Sequence, residues 1–310
     1  MSKVKNATSI GGQALIEGIM MRGPKKIGIC VRKPDGTIES KTEEVKSIKD
    51  KYKILGLPFI RGSVNFIEMM TIGYKALAFS AEAAGEEFNE EPTKFEKWLS
   101  KKFNKSVLDI ALYFALVLGI ALSVGLFMVL PTFITGLFNS VLPSNWKTVI
   151  ESVLKFAIFV VYVLLASRLK EIKRVFQYHG AEHKTIFCYE AGEELTVENI
   201  KKYGRLHPRC GTNFIAIVLL ISIAIFSFVS WDHLYIRILL KILMLPIIGG
   251  SSYEIIKLAG KYDNILTRII SIPGLLLQKI TTGEPDEGMI EVAIEAIKLV
   301  LPENPEEAKW

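Results

Sequence analysis

The chain has 310 residues, half of them hydrophobic, with a mean hydropathy of +0.33 and a formal net charge of +6. Such hydropathy is too high for an ordinary soluble globule and points to a membrane protein. Loop lysines and arginines account for the basic charge as positive-inside bias and attraction to anionic lipid, so no nucleic-acid partner is needed.

The first 20 residues are interrupted by Gly11, Gly12, Gln13 and Glu17, so no secretory signal is expected. Residues Ser9 to Pro24 carry four glycines and paired methionines, which suggests close backbone approach or turns of positive φ. Gly11-Gly12-Gln13 matches the tripeptide of peptide-release factors, but nothing else in the chain does. No Gly-Lys-Ser/Thr follows to make a phosphate loop. Next, Lys26 to Arg32 and Thr37 to Val45 flank Pro34-Asp35-Gly36 and predict a β-hairpin. From Arg61 to Gly85, Val64, Phe66, Ile67, Met70, Ile72, Leu77 and Phe79 recur at helical spacing. This predicts a helix packed on the bundle or the bilayer surface. Residues 86–105 form a charged linker, with Trp98 at an interfacial position.

Four apolar runs follow. Ile110 to Leu130 is uncharged over a length that suffices to cross the hydrocarbon core. Val149 to Ser167 is apolar except for Glu151 and Lys155, which can pair or snorkel. Phe214 to Trp231 is the third run. Ile236 to Ile256 holds Lys241, Pro246, Gly249-Gly250 and Glu254, and reads as a kinked span or a re-entrant segment, with both charges snorkelling from its ends. Lys94, Lys97, Lys101, Lys102 and Lys105 precede the first run, and Arg168, Lys170, Lys173 and Arg174 follow the second. Both termini and the loop of residues 168–212 are therefore expected in the cytoplasm of a multi-pass bacterial cell-membrane protein. The three cysteines, Cys30, Cys188 and Cys210, fall on those cytoplasmic segments, so structural disulfides are not expected. Cys188 reads as a small buried residue. Beyond the runs, Ile265 to Ile280 is apolar but broken by Pro273-Gly274, and Met289 to Leu301 predicts a short amphipathic helix.

The expected fold is thus an α-helical polytopic membrane protein of four spans with a small α+β cytoplasmic N-terminal region. Residues 1–105 form that region, 106–260 the membrane bundle, and 261–310 a cytoplasmic C-terminal helical segment.

Chemistry concentrates in the loop after the second run. His179-Gly180-Ala181-Glu182-His183 has the order HxxEH, which on a helix puts both imidazoles on one face with a carboxylate beside them. Two imidazoles can hold an ion that acidifies a water to a pKa of about 7, and the carboxylate can take its proton. The order matches the inverted zincin signature, whose third ligand is a downstream glutamate. Glu190, Glu193 and Glu194 are the candidates. His207 and Cys210, three apart in a turn-like segment, offer a second source of ligands, whereas His233 is expected across the membrane. Mixed nitrogen and sulfur donors favour Zn²⁺ over magnesium or calcium. The blander alternative has His179 and His183 capping a juxtamembrane helix while Glu182 pairs with Lys184 or Arg174.

GGQALIEGIMMRGP, YHGAEHKTIFCYEAGEELT, GRLHPRCGTNF and TTGEPDEGMIEVAIEAI, in this order, resemble the bacterial family catalogued as domain of unknown function 1385. Its members are often labelled YqhQ-like and "predicted metal-dependent enzyme". The resemblance spans nearly the whole chain. Carried over residue by residue, it implies a metal-dependent membrane protein whose site comprises His179, Glu182, His183, His207 and Cys210. The functional expectation is a zinc hydrolase at the cytoplasmic membrane face, with Glu182 as general base for a peptide or lipid-derived bond. The alternative is a non-enzymatic oligomeric scaffold or pore with a structural metal site. The expected partners are the lipid bilayer, an unidentified substrate and further copies of the chain.

Overall fold

A computed structural model describes residues 8–85, 102, 107–138, 144–227, 234–262 and 264–308. Most of the charged linker, Trp98 included, and His233 lie outside the described residues. The chain is mostly helical with a small N-terminal antiparallel sheet, and it divides into two compact units. One comprises residues 1–85, 160–225 and 244–310, the other 86–159 and 226–243.

The first unit opens with β1 (Gly11–Leu15), β2 (Gly18–Arg22), β3 (Lys26–Arg32) and β4 (Ile38–Glu44), a meander paired in chain order. The expected β3–β4 hairpin is present, closed at Gly36 with φ +87° and in register from Lys26↔Glu44 to Arg32↔Ile38. The β1–β2 hairpin was not expected. Its turn is Ile16-Glu17, with Glu17 at φ +48°, so the usual Asn-Gly or Asp-Gly signal is missing. Arg174 and Tyr178 bind the Glu17 carboxylate and compensate that backbone.

Both faces of the sheet are covered, and successive side chains divide between them. Ile19, Met21 and Cys30 join one core with Tyr178, Ala181, Ile290 and Ile297, while Met20, Ile29 and Val31 join another with Ala76. Ala76 lies on α1 (Ile60–Ala83), the helix expected after the hairpins. The N-terminal turn of α1 meets the later apolar helix closely. A Cβ on Gly62 would stand 2.9 Å from Gly250 Cα, and Arg61 Nε donates to Glu254 at 2.7 Å. Glu254 is therefore ion-paired rather than snorkelling.

The apolar runs are helical. They appear as α2 (Val107–Val124), a π-helical turn (Gly125–Val129), α3 (Leu130–Leu137) and α4 (Ser144–Ala166). The histidine segment forms α5 (Lys170–Ala191), followed by the short α6 (Val197–Lys201), α7 (Gly211–Ser227) and α8 (Leu234–Lys261). Three helical stretches among the described residues are long and apolar enough to cross a membrane: Tyr113–Leu137, Trp146–Ala166 and Ile238–Ala259. The last runs unbroken through Pro246 and Gly249-Gly250. The expected third run falls on α7, whose apolar part, Gly211–Phe226, is shorter, and residues 228–233 lie outside the described residues. In the second unit, Lys241 Nζ reaches both Glu151 and, at 2.8 Å, Thr132 Oγ1, so the charge in the fourth run is paired inside the protein.

The chain closes with α9 (Ile265–Thr281) and α10 (Glu287–Lys298). The break expected at Pro273-Gly274 is absent. α9 runs through both residues, and Gly274 leaves room for Asn213, whose Oδ1 a Cβ there would meet at 1.6 Å. The expected amphipathic helix is α10, which buries Met289, Ile290, Val292 and Ile297 against the sheet and α5.

Candidate metal centre

About half of the segment expected as a loop, 168–212, is the helix α5, which ends at Gly192 in the left-handed conformation with φ +75°, a glycine C-terminus. Its length puts His179 and His183 one turn apart on one face, with ring centroids 4.4 Å apart. The connection before α7 brings Cys210 to them. One donor atom from each of His179, His183 and Cys210 lies within 4.8 Å of the others, and His179 Nε2 is 3.1 Å from Cys210 Sγ.

Backbone groups orient these donors. His179 Nδ1 stands 2.8 Å from the Thr281 carbonyl oxygen and His183 Nδ1 faces that of Arg205, so in each ring Nδ1 carries the proton and Nε2 is left as a donor to an ion. His183 Nε2 is buried without a hydrogen-bond partner, the cost of which a cation would remove. Thr212 N–H donates to Cys210 Sγ at 3.4 Å and so fixes the position of the sulfur. His183 is 1% exposed and His179 15%, so the cluster is closed on the His183 side and more open at His179.

Glu182 lies in the same place. Gly12 N–H of β1 donates to its Oε1 at 2.9 Å, while Oε2 has no hydrogen-bond partner and stands 3.9 Å from His179 Nε2 and 3.8 Å from His183 Nε2. Burial raises the pKa of this carboxyl above the ordinary glutamate range. The pairings of the blander alternative are absent: Arg174 binds Glu17, and Lys184 Nζ is 2.7 Å from Glu284. Three donors of mixed nitrogen and sulfur type, one of them the orphaned imidazole nitrogen, together with a free carboxylate oxygen fit a zinc-type ion.

His207 stands beside this group. Its ring centroid is 5.5 Å from that of His183 and 4.6 Å from that of Phe187, its Nδ1 accepts from Arg209 N–H at 3.3 Å, and its Nε2 is 3.8 Å from Glu190 Oε2. Burial pulls its pKa down to about 4, against the raising influence of Glu190. Glu190, one of the three glutamates considered as the further ligand, accepts from Thr8 N–H at 2.7 Å and pairs with Arg209. Burial raises its pKa, but His207, Arg209 and Thr8 together overcome that and hold the carboxyl below its usual range. Gln278 secures the connection, donating to the His207 carbonyl and accepting from its N–H.

Sequence reasoning missed Gly12, Arg205, Gln278 and Thr281. Three of them act through backbone atoms, which leave no side-chain signature. The glycine-rich opening was the one signal available.

A family model described as "Protein of unknown function (DUF1385)" matches residues 57–303, a range that includes every donor of the cluster but not Gly12. The chain is also similar to the "Uncharacterized protein YqhQ" of Bacillus subtilis (strain 168), at 34% identity over 303 residues covering 97% of this chain and 95% of that protein. No solved structure matches.

Proposed function

The chain belongs to the DUF1385 family, and from that premise we propose that it is a membrane-bound, zinc-dependent hydrolase working at the cytoplasmic face. One observation supports this above others. His179, His183 and Cys210 converge on a point that the unpartnered Oε2 of Glu182 also faces. A bound ion would supply Lewis-acid polarisation and a water acidic enough to lose a proton near neutral pH.

The residues do the rest. Glu182 takes the proton at Oε2, and Gly12 N–H fixes Oε1 so that only one oxygen faces the reacting side. The Thr281 and Arg205 carbonyls hold both imidazoles in one tautomer and orientation. The substrate is a peptide or lipid-derived bond presented near headgroup depth. In the topology that loop charge favours, α7 completes a fourth span and both termini are cytoplasmic.

The second reading is a structural site in an oligomeric scaffold or pore, closed by Glu182 as fourth ligand. The near-equal separations from Oε2 to the two imidazoles favour it. Elemental analysis of the purified protein beside its His179→Ala/His183→Ala variant tests the metal, and equal metal content in both would end either reading. Glu182→Gln then separates them. Retained metal with lost complementation supports the hydrolase, whereas metal lost in step with stability supports the structural shell, from which the amide removes an anionic ligand.

A further inference from the structure

Two neighbouring helices of the first unit have opposite polarity. α10 is built as a water-facing amphipath, with its apolar side chains buried and Glu291, Glu295 and Lys298 outside. α9 is the reverse. The side chains it buries are Ser271, Gly274, Leu277 and Gln278, while Ile265, Leu266, Ile269, Ile272 and Leu276 are exposed, Ile265 by 78%. At 100° per residue these five lie on one side of the helix and the buried four on the other. A helix that turns three polar or small groups and a single leucine inward and a row of isoleucine and leucine outward is built for an apolar surround.

Its position in the chain says which surround. The membrane-length helix Ile238–Ala259 ends within α8, which runs to Lys261, and α9 starts at Ile265. Four Cα steps reach at most about 14 Å, so α9 begins beside the mouth of that span. With 17 residues and Pro273 in its middle, it is poorly suited to cross the bilayer itself. Arg268 and Lys279, both exposed, lie along one edge of the apolar row, where a guanidinium and an ammonium group can reach phosphate.

We infer that α9 lies in the plane of the bilayer, with its Ile265–Leu276 face sunk into the boundary between anionic phospholipid headgroups and acyl chains. Such helices bury their apolar face roughly 5–10 Å into that boundary. The histidine cluster is then tied directly to lipid. The last residue of α9, Thr281, orients His179 through its carbonyl, and Gln278, one turn earlier, clasps His207. This inference does not depend on the cluster being catalytic.

The test uses the full chain reconstituted in vesicles of phosphatidylcholine and phosphatidylglycerol, with Ile269→Trp and Leu276→Trp made separately so that one misfolding variant does not end the experiment. Lys41→Trp on β4 is the water-facing control. The emission added at positions 269 and 276 should fall by about half or more with lipid brominated near the headgroup and be indifferent to acrylamide, the control behaving oppositely. Acrylamide quenching at 269 and 276 would place this face in water and overturn the proposal. Shielding from both quenchers would mean a second copy or another protein covers it, and would overturn it equally.

Discussion

A methyl group on Gly12 would stand 2.7 Å from the Met20 carbonyl oxygen and 2.9 Å from Glu182 Cγ. Gly12→Ala should therefore push β1 off α5, cost about 1–3 kcal/mol by overpacking, and displace the N–H that holds Glu182. A lowered melting temperature together with lost complementation is the expected result, and an unchanged protein would show that this contact is dispensable. Glu17 yields a pH dependence. The Arg174 hydrogen bond holds its carboxyl below the ordinary range, so its contribution is full above a pH of about 4.3 and is lost as pH falls through the depressed folded value. For a partly exposed pair that contribution is about 1 kcal/mol. The stability gap between the protein and Glu17→Gln should be present at pH 7 and close on acidification; a gap independent of pH would refute the pairing. At this scale the HxxEH spacing made the two imidazoles and Glu182 legible, because helical periodicity alone brings positions 179, 182 and 183 together. The place of His207 was not legible, since it depends on Glu190 of α5 and Gln278 of α9, which approach from distant parts of the chain.

Among elements, hydropathy revealed the long apolar helices, and Pro34-Asp35-Gly36 revealed one hairpin. The other hairpin was hidden because its turn uses a glutamate at positive φ whose compensation, Arg174, lies far along the chain. Pro273 suggested a break, but α9 runs through it, with Asn213 seated closely against Gly274 beside it. The polar contacts inside the apolar helices were only half legible. Lys241 was visible as an anomaly, but its partners Glu151 and Thr132 come from two other membrane-length helices. Each of the three therefore contributes one polar side chain to a buried node. Lys241→Met should destabilise the protein by about 3–5 kcal/mol because it strips the ammonium from a buried carboxylate, while Lys241→Met/Glu151→Gln should cost less than Lys241→Met alone. Melting in detergent measures both, and a double variant that is the less stable would contradict the node.

For the whole molecule, loop charge predicts that a reporter placed at Ser140, which lies outside the described residues, is read outside the cytoplasm, and that one following residue 308 is read inside it. A cytoplasmic signal at Ser140 would overturn the four-span topology. Chain order misled at this scale, because the sheet, the histidine helix and α10 share one core although about 125 residues separate the sheet from α5 and about 240 separate it from α10. Residues 8 and 308 meet: Thr8 Oγ1 and Ser9 N–H donate to the Ala308 carbonyl, and Thr8 N–H also binds Glu190 on the histidine helix. That knot has a consequence for biosynthesis. While the ribosome is still translating the C-terminal helices, His179 lacks Thr281 and the N-terminal strand lacks its anchor, so a nascent chain holds the histidines without the shell that aims them. Completion of the His179 cluster is thereby deferred until translation is nearly complete, and a stalled or prematurely terminated product would lack the Thr281 carbonyl that aims His179.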